Sequence, residues 1–168
     1  LAELVLERMT GSRQEMYTNA AMVWGTDTEP LARAAYEART GAIVDEVGMV
    51  PHPFIAMSGA SPDGCIDDDG LIEIKCPNTA THIETLKIQS VASKYITQMQ
   101  WQMACTDRQW CDFVSYDPRM PEDLQLFVQR IERDNDFITS TEEQVRLFLD
   151  EVQADIDALM EIGNGKSK

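Results

Sequence analysis

The chain has 168 residues, 43% of them hydrophobic, enough to bury the core of one globular domain. Its 14 basic residues against 29 acidic ones leave a net charge of −15, which on its own argues against nucleic acid as a partner unless binding rests on a local basic patch. No apolar run approaches membrane-spanning length and no signal peptide is visible, so no membrane partner is expected.

In chain order, Leu1–Met9 reads as the end of a helix stopped at Gly11. Gly25-Thr26-Asp27-Thr28-Glu29-Pro30 has the hydroxyls, carboxylates and proline of a helix start. It predicts a helix running to Thr40 and stopped by Gly41, with Leu31, Ala34, Ala35 and Ala38 as the buried stripe and Glu29 projecting from the first turn. Ala42–Val50, Phe54–Ser58 and Leu71–Cys76 read as strands. Thr81–Ile88 and Lys94–Thr106 read as helices, and Gln109–Tyr116 and Leu124–Glu132 as strands around Asp117-Pro118-Arg119-Met120-Pro121. Ser140-Thr141-Glu142-Glu143 predicts the cap of a long final helix with Val145, Phe148, Val152, Ile156 and Leu159 at helical spacing, before a polar tail over 163–168. With no repeat or linker, residues 1–168 are expected to form one α/β domain, a central mixed sheet flanked by helices.

Chemistry concentrates in residues 61–76, SPDGCIDDDGLIEIKC. Asp63, Glu73 and Lys75 have the D-x(n)-E-x-K spacing of a metal-dependent phosphodiester-cleaving centre. On a strand Ile72, Ile74 and Cys76 would enter the core while Glu73 and Lys75 emerge together on the other face. The Asp-Asp-Asp-Gly turn can fold the Asp63 carboxylate back beside Glu73. Two carboxylates suit a hard divalent cation, and an ammonium beside them can orient or deprotonate a water. The plain alternative, a surface hairpin with a solvated acidic turn and an ion pair, stays open on this motif alone.

Other candidates are weaker. Gln98 and Gln102 share a helix face at i,i+4, where an amide can hold a phosphate oxygen or a water; ordinary surface polarity is the alternative for Gln98 and Gln100. His52, between two prolines, is expected to be solvated, and neither it nor His82 has a partner for a nucleophilic triad. Cys65, Cys76, Cys105 and Cys111 contain no CxxC pair and read as reduced cytosolic thiols used as small hydrophobes.

Five signposts in order then carry a resemblance: Trp24-Gly25 with Glu29, Ser61-Pro62-Asp63-Gly64, Glu73-Ile74-Lys75-Cys76-Pro77, Tyr95 with Gln98-Met99-Gln100, and Tyr116-Asp117-Pro118-Arg119-Met120. From about Ala20 to Leu159 the chain resembles the lambda-exonuclease-like alkaline exonucleases, or YqaJ-type viral recombinases, of the PD-(D/E)xK nuclease superfamily. The resemblance implies a restriction-endonuclease-like core. It implies Asp63, Glu73 and the Ile74 backbone carbonyl as ligands of Mg²⁺ (with Mn²⁺ able to substitute), and Lys75 as the residue that activates or orients water. It implies Glu29 supporting a second metal or its waters, Ser61 and Gln98 around the phosphates, and Met22 as a wedge between the strands.

The expected activity is 5′→3′ degradation of one strand of linear double-stranded DNA in phage recombination. The resemblance further implies a ring-shaped homotrimer, a single-strand annealing protein as partner, and the cytoplasm of a bacterial host. No part of Leu1–Asn19 matches the family's upstream segment that grips the terminal 5′-phosphate, and the start at Leu1 rather than Met adds the expectation that upstream sequence is missing. Alternatives are a structure-specific endonuclease on the same core and a non-catalytic module that binds DNA ends. An iron–sulfur relative is disfavoured because the cysteines are scattered through the core.

Overall fold

Two apolar runs, Gly70–Lys75 and Trp110–Tyr116, make the centre of a sheet and are buried along nearly their whole length, as strands covered on both faces are. The computed structural model describes residues 1–12 and 18–165. Its elements are α1 (Ala2–Thr10), α2 (Ala20–Thr40), β1 (Val44–Asp45), β2 (Val50–Pro51), β3 (Gly59–Ala60), β4 (Gly64–Ile66), β5 (Gly70–Lys75), α3 (Thr79–Ile88), α4 (Ser93–Thr106), β6 (Trp110–Tyr116), a 3₁₀ turn (Glu122–Leu124), β7 (Leu126–Glu132) and α5 (Asn135–Gly165). The five-stranded sheet has the order β1-β4-β5-β6-β7, and β2 and β3 form a separate ribbon. β5 and β6 are parallel while the other neighbours are antiparallel. Parallel neighbours need a crossover, supplied by α3 and α4. This is the expected α/β core, a mixed sheet flanked by helices.

The chain divides into two compact units, Thr18–Ile138, which holds the sheet, and Leu1–Tyr17 with Thr139–Lys168. Within the larger unit one core joins Ala32 and Tyr36 of α2 to Ile72, Ile74 and Val114. A second joins Met99 and Met103 of α4 to Leu71, Cys111 and Phe113. Successive side chains on a strand alternate, so Glu73, between Ile72 and Ile74, shares the α4 side with Leu71.

Several expectations need correction. α2 starts at Ala20, where the Asn19 side chain accepts from the Met22 N–H at 2.9 Å. The expected start at Gly25–Pro30 therefore lies inside the helix, and Glu29 stands mid-helix rather than in the first turn. The buried line is Thr28, Ala32 and Tyr36; Leu31 is 56% exposed. The Tyr36 hydroxyl, donating to Asp112 at 2.7 Å, turns that line toward the sheet.

Phe54–Ser58 forms turns instead of a strand, because His52 Nδ1 accepts from the Phe54 and Ile55 N–H groups at 3.2 and 3.1 Å and curls the chain. His52 is buried rather than solvated, stacked on Trp101 at 4.9 Å. Ala42–Val50 contributes only the short β1 and the start of β2. α5 begins at Asn135, five residues' worth of chain before the expected Ser140 cap becoming helical because Asp134 accepts from Phe137 N at 2.9 Å. Of its predicted stripe Val152 is buried, whereas Phe148 and Leu159 are exposed. The tail expected at 163–168 is helical to Gly165, and 166–168 lie outside the described residues. All four cysteines are free thiols, and among the described residues no helix is long and apolar enough to cross a membrane.

Candidate active site

The β4–β5 hairpin builds the site as its sequence predicts. Its register pairs Gly64 with Ile72, and Asp63 Oδ2 accepts from the Ile74 N–H at 2.7 Å. Gly64 is required by space: a Cβ there would lie 2.3 Å from Val44 Cγ1 of the neighbouring β1. The close approach of β1 and the position of Asp63 thus depend on the same glycine.

Glu73 departs from expectation. It does not emerge on a solvated face; it is 0% exposed, covered by α4. A buried carboxylate needs hydrogen-bond donors, and α4 supplies two, one turn apart. Gln98 Nε2 donates to Oε1 and Gln102 Nε2 to Oε2, each at 2.7 Å. The Lys75 ammonium also pairs with Oε1. Lys75 further lies 5.3 Å from the Tyr95 ring centroid, and Tyr95 stacks on Phe113.

Asp63, Ile74, Lys75, Glu29, Met22 and Tyr95 line one cavity of about 440 Å³. Glu29 accepts from Arg33 at 2.8 Å, and Arg33 also pairs with Glu46. Met22 is 43% exposed near the start of α2, and Ser61 is exposed just before Asp63. Burial first, then the Glu73 charge, push the Asp63 carboxyl up to about 7, with Glu29 adding to the rise and the Ile74 N–H opposing it. Burial alone would depress the Lys75 ammonium, but the charge and hydrogen bond of Glu73 outweigh it and hold Lys75 above its ordinary value. Burial and the nearby Glu29 charge push the Cys76 thiol up to about 12, leaving it a neutral hydrophobe beside the site.

Three contacts go beyond the sequence reading: Gln102 bonds Glu73 where phosphate or water was expected, Arg33 pairs with Glu29, and Tyr95, read only as part of a signpost, lies beside Lys75. The i,i+4 spacings of Gln98–Gln102 and Glu29–Arg33 were the available signals. Gln100 turns away from the site, its amide donating to the Glu132 carbonyl and accepting from Asp134 N. His82 is buried in the first turn of α3, its ring nitrogens bonded to Ser115 Oγ and the Leu124 carbonyl. The Tyr116–Met120 signpost is a strut: Arg119 and Thr79 donate to the buried Asp117, and the Arg119 guanidinium stacks 4.4 Å over Trp24 of α2.

Residues 1–109 match the model of the YqaJ-like viral recombinase domain. The chain belongs to this family. Among solved structures it is similar to an alkaline exonuclease, LHK-Exo, from Laribacter hongkongensis, with 55% identity, a TM-score of 0.93, and coverage of 98% of this chain and 83% of that one. The same relative in complex with dAMP matches at 55% identity and TM-score 0.93, covering 99% and 84%. A phage-related exonuclease from Haemophilus somnus 129PT shares the fold at 18% identity and TM-score 0.72, covering 95% and 80%. A search of the curated proteins finds no match. The YqaJ-like match begins at residue 1 and so includes Leu1–Asn19, which the motifs left outside the resemblance; residues 13–17 lie outside the described residues.

Proposed function

We propose that the protein is a Mg²⁺-dependent 5′→3′ exonuclease that removes nucleotides from one strand of linear double-stranded DNA during phage-type recombination. Its family and its 55% identical alkaline exonuclease relative make it a nuclease. The observation that carries the finer reading is the meeting of Asp63, Glu73 and Lys75 at one end of β5.

The donor set fits a hard cation. Asp63 and Glu73 offer carboxylate oxygens, the Ile74 carbonyl is the third candidate, and burial first, then the Glu73 charge, raise Asp63 to about 7. Among the described residues no cluster of three or more histidine, cysteine or carboxylate side chains stands ready as a cage. One or two carboxylates completed by water and substrate phosphate is the arrangement Mg²⁺ takes. Bound there, the ion would polarise the scissile phosphate and lower the pKa of a water.

The chain's own residues supply the rest. Lys75, held as an ammonium by Glu73, orients the water and neutralises charge that develops on the phosphate. Tyr95 and the Met22 side chain line the same cavity. Glu29 stands ready for a second ion or its waters, Ser61 and Gln98 for the phosphates, and Met22 for parting the strands. The relative's complex with dAMP supports a mononucleotide product, which a cavity of about 440 Å³ has room to hold. We read residues 1–168 as one nuclease domain, acting in a homotrimeric ring with an annealing protein as partner.

Linear duplex labelled at its 5′-phosphate or 3′ end, digested with and without Mg²⁺ beside a covalently closed circle, tests this reading. Early release of the 5′ label, only with Mg²⁺ and only from the linear form, is expected. Cutting of the circle would move the assignment to an endonuclease, and cutting in chelator would remove the metal. Sedimentation as a pure monomer would count against the ring.

A further inference from the structure

We infer that Gln102 is a positioning residue that makes Glu73 offer a single oxygen to a cation, and so sets the preference for Mg²⁺ over Ca²⁺; this rests on the metal reading above. Gln102 is 2% exposed and donates its amide N–H to Oε2 of the fully buried Glu73 at 2.7 Å. Lys75 and Gln98 both meet the other oxygen, Oε1, and Lys75 lines the cavity with Asp63. The carboxylate is thus divided by its partners: Oε1 meets Lys75, which lines the cavity, and Gln98, while Oε2 is bonded to the buried Gln102.

The neighbourhood argues that Gln102 is there for this bond. The other buried residues of α4 are Met99, Met103, Ala104, Cys105 and Gln100, whose amide is bonded to the Glu132 carbonyl and Asp134 N, so a buried glutamine here is kept for its hydrogen bonds. Its own carbonyl oxygen, Oε1, is buried with no partner. An unpaired buried amide oxygen destabilises a fold by about 1–3 kcal/mol. Turning the amide over would set two acceptors against each other across Glu73, so the orphaned oxygen is the consequence of aiming the N–H at the carboxylate.

The effect on ion choice follows from coordination chemistry. Mg²⁺ demands near-octahedral geometry and keeps its waters, so one oxygen per carboxylate suits it, whereas Ca²⁺ accepts six to eight oxygens and often takes both from one carboxylate. Holding Oε2 in the interior denies Ca²⁺ the second oxygen. Without the Gln102 amide, Glu73 is free to turn and present both.

Titration calorimetry of the DNA-free protein with Mg²⁺ alone and Ca²⁺ alone tests this without reference to cleavage. Gln102→Met, close in volume and lacking the donor, is expected to raise the Ca²⁺-to-Mg²⁺ affinity ratio at least about tenfold. An unchanged ratio in a variant that still binds Mg²⁺ overturns the assignment. An equal rise in Gln98→Met, which removes a donor from the other oxygen, overturns it too. Should Gln102→Met fail to fold, the parent protein decides the matter. The Gln102 side-chain amide protons, followed by NMR, are expected to stay protected from solvent exchange when Mg²⁺ is added, and their release would overturn the proposal. Absence of any divalent-ion binding by the parent would instead strike the metal reading itself.

Discussion

At the scale of single residues, Asp63 and Lys75 separate two functions that one hairpin holds together. Lys75→Ala removes the ammonium but neither carboxylate, so it is expected to keep cation binding while nucleotide release falls roughly 10²–10⁴-fold. Asp63→Asn is expected to lose both, with calorimetry and single-turnover release as the measurements. The same substitution has an opposite effect on stability. In the cation-free protein Asp63 titrates at about 7, against about 3.9 in an unfolded chain. Between those values the folded state holds the extra proton, so this group makes stability fall as pH rises. In chelator at about pH 8, Asp63→Asn should therefore melt at a higher temperature than the parent; a lower melting point would refute the destabilisation assigned to the ionised Asp63. Asp117 runs the other way. Burial works against its ionisation, yet the hydrogen bonds from Arg119 and Thr79 hold it down to about 2. Its contribution is present above its unfolded value near about 4 and is lost as pH falls toward 2. Acid melts of Asp117→Asn should lack that loss, being less stable than the parent near neutrality and converging with it at low pH.

At the scale of elements, α2 shows why some of the site was legible and some was not. The hairpin was readable because its chemistry is local: Asp63, Gly64, Glu73 and Lys75 lie on one hairpin of consecutive strands. Glu29 was found, but its setting was misread, because Thr26-Asp27-Thr28-Glu29-Pro30 contains the residues of a cap and only the bond from Met22 to Asn19 reveals that the helix had already begun. Pro30 therefore sits inside α2 and leaves the Thr26 carbonyl without an N–H four residues on. Pro30→Ala should restore that bond and stabilise the fold by about 1–3 kcal/mol in denaturant titration; no gain would mean the helix is already bent to relieve the loss. The contacts of Gln102 and His52 were hidden for a different reason. Each takes its role from a side chain distant in sequence, Glu73 and Trp101 respectively, and no spacing rule connects them.

At the scale of the molecule, a net charge of −15 and a polyanionic substrate pull against each other. Self-repulsion among surface carboxylates should be relieved by salt, so raising ionic strength from about 10 mM to about 150 mM is expected to raise the melting temperature while weakening DNA association. A melting temperature that falls with salt would place the dominant charge interactions in attractive pairs such as Arg130–Asp112 instead.

The burial of Glu73 has a consequence for how this protein ages and fails. Its oxygens are held by a helix whose neighbouring residues are the core itself. The Glu73 carboxylate is therefore expected to stay in place as long as the rest of the domain is intact. Heat inactivation and loss of tertiary structure should coincide, and a cell should accumulate few copies that are folded yet dead. Damage reaches quality control as an unfolded chain, not as an intact impostor occupying a DNA end.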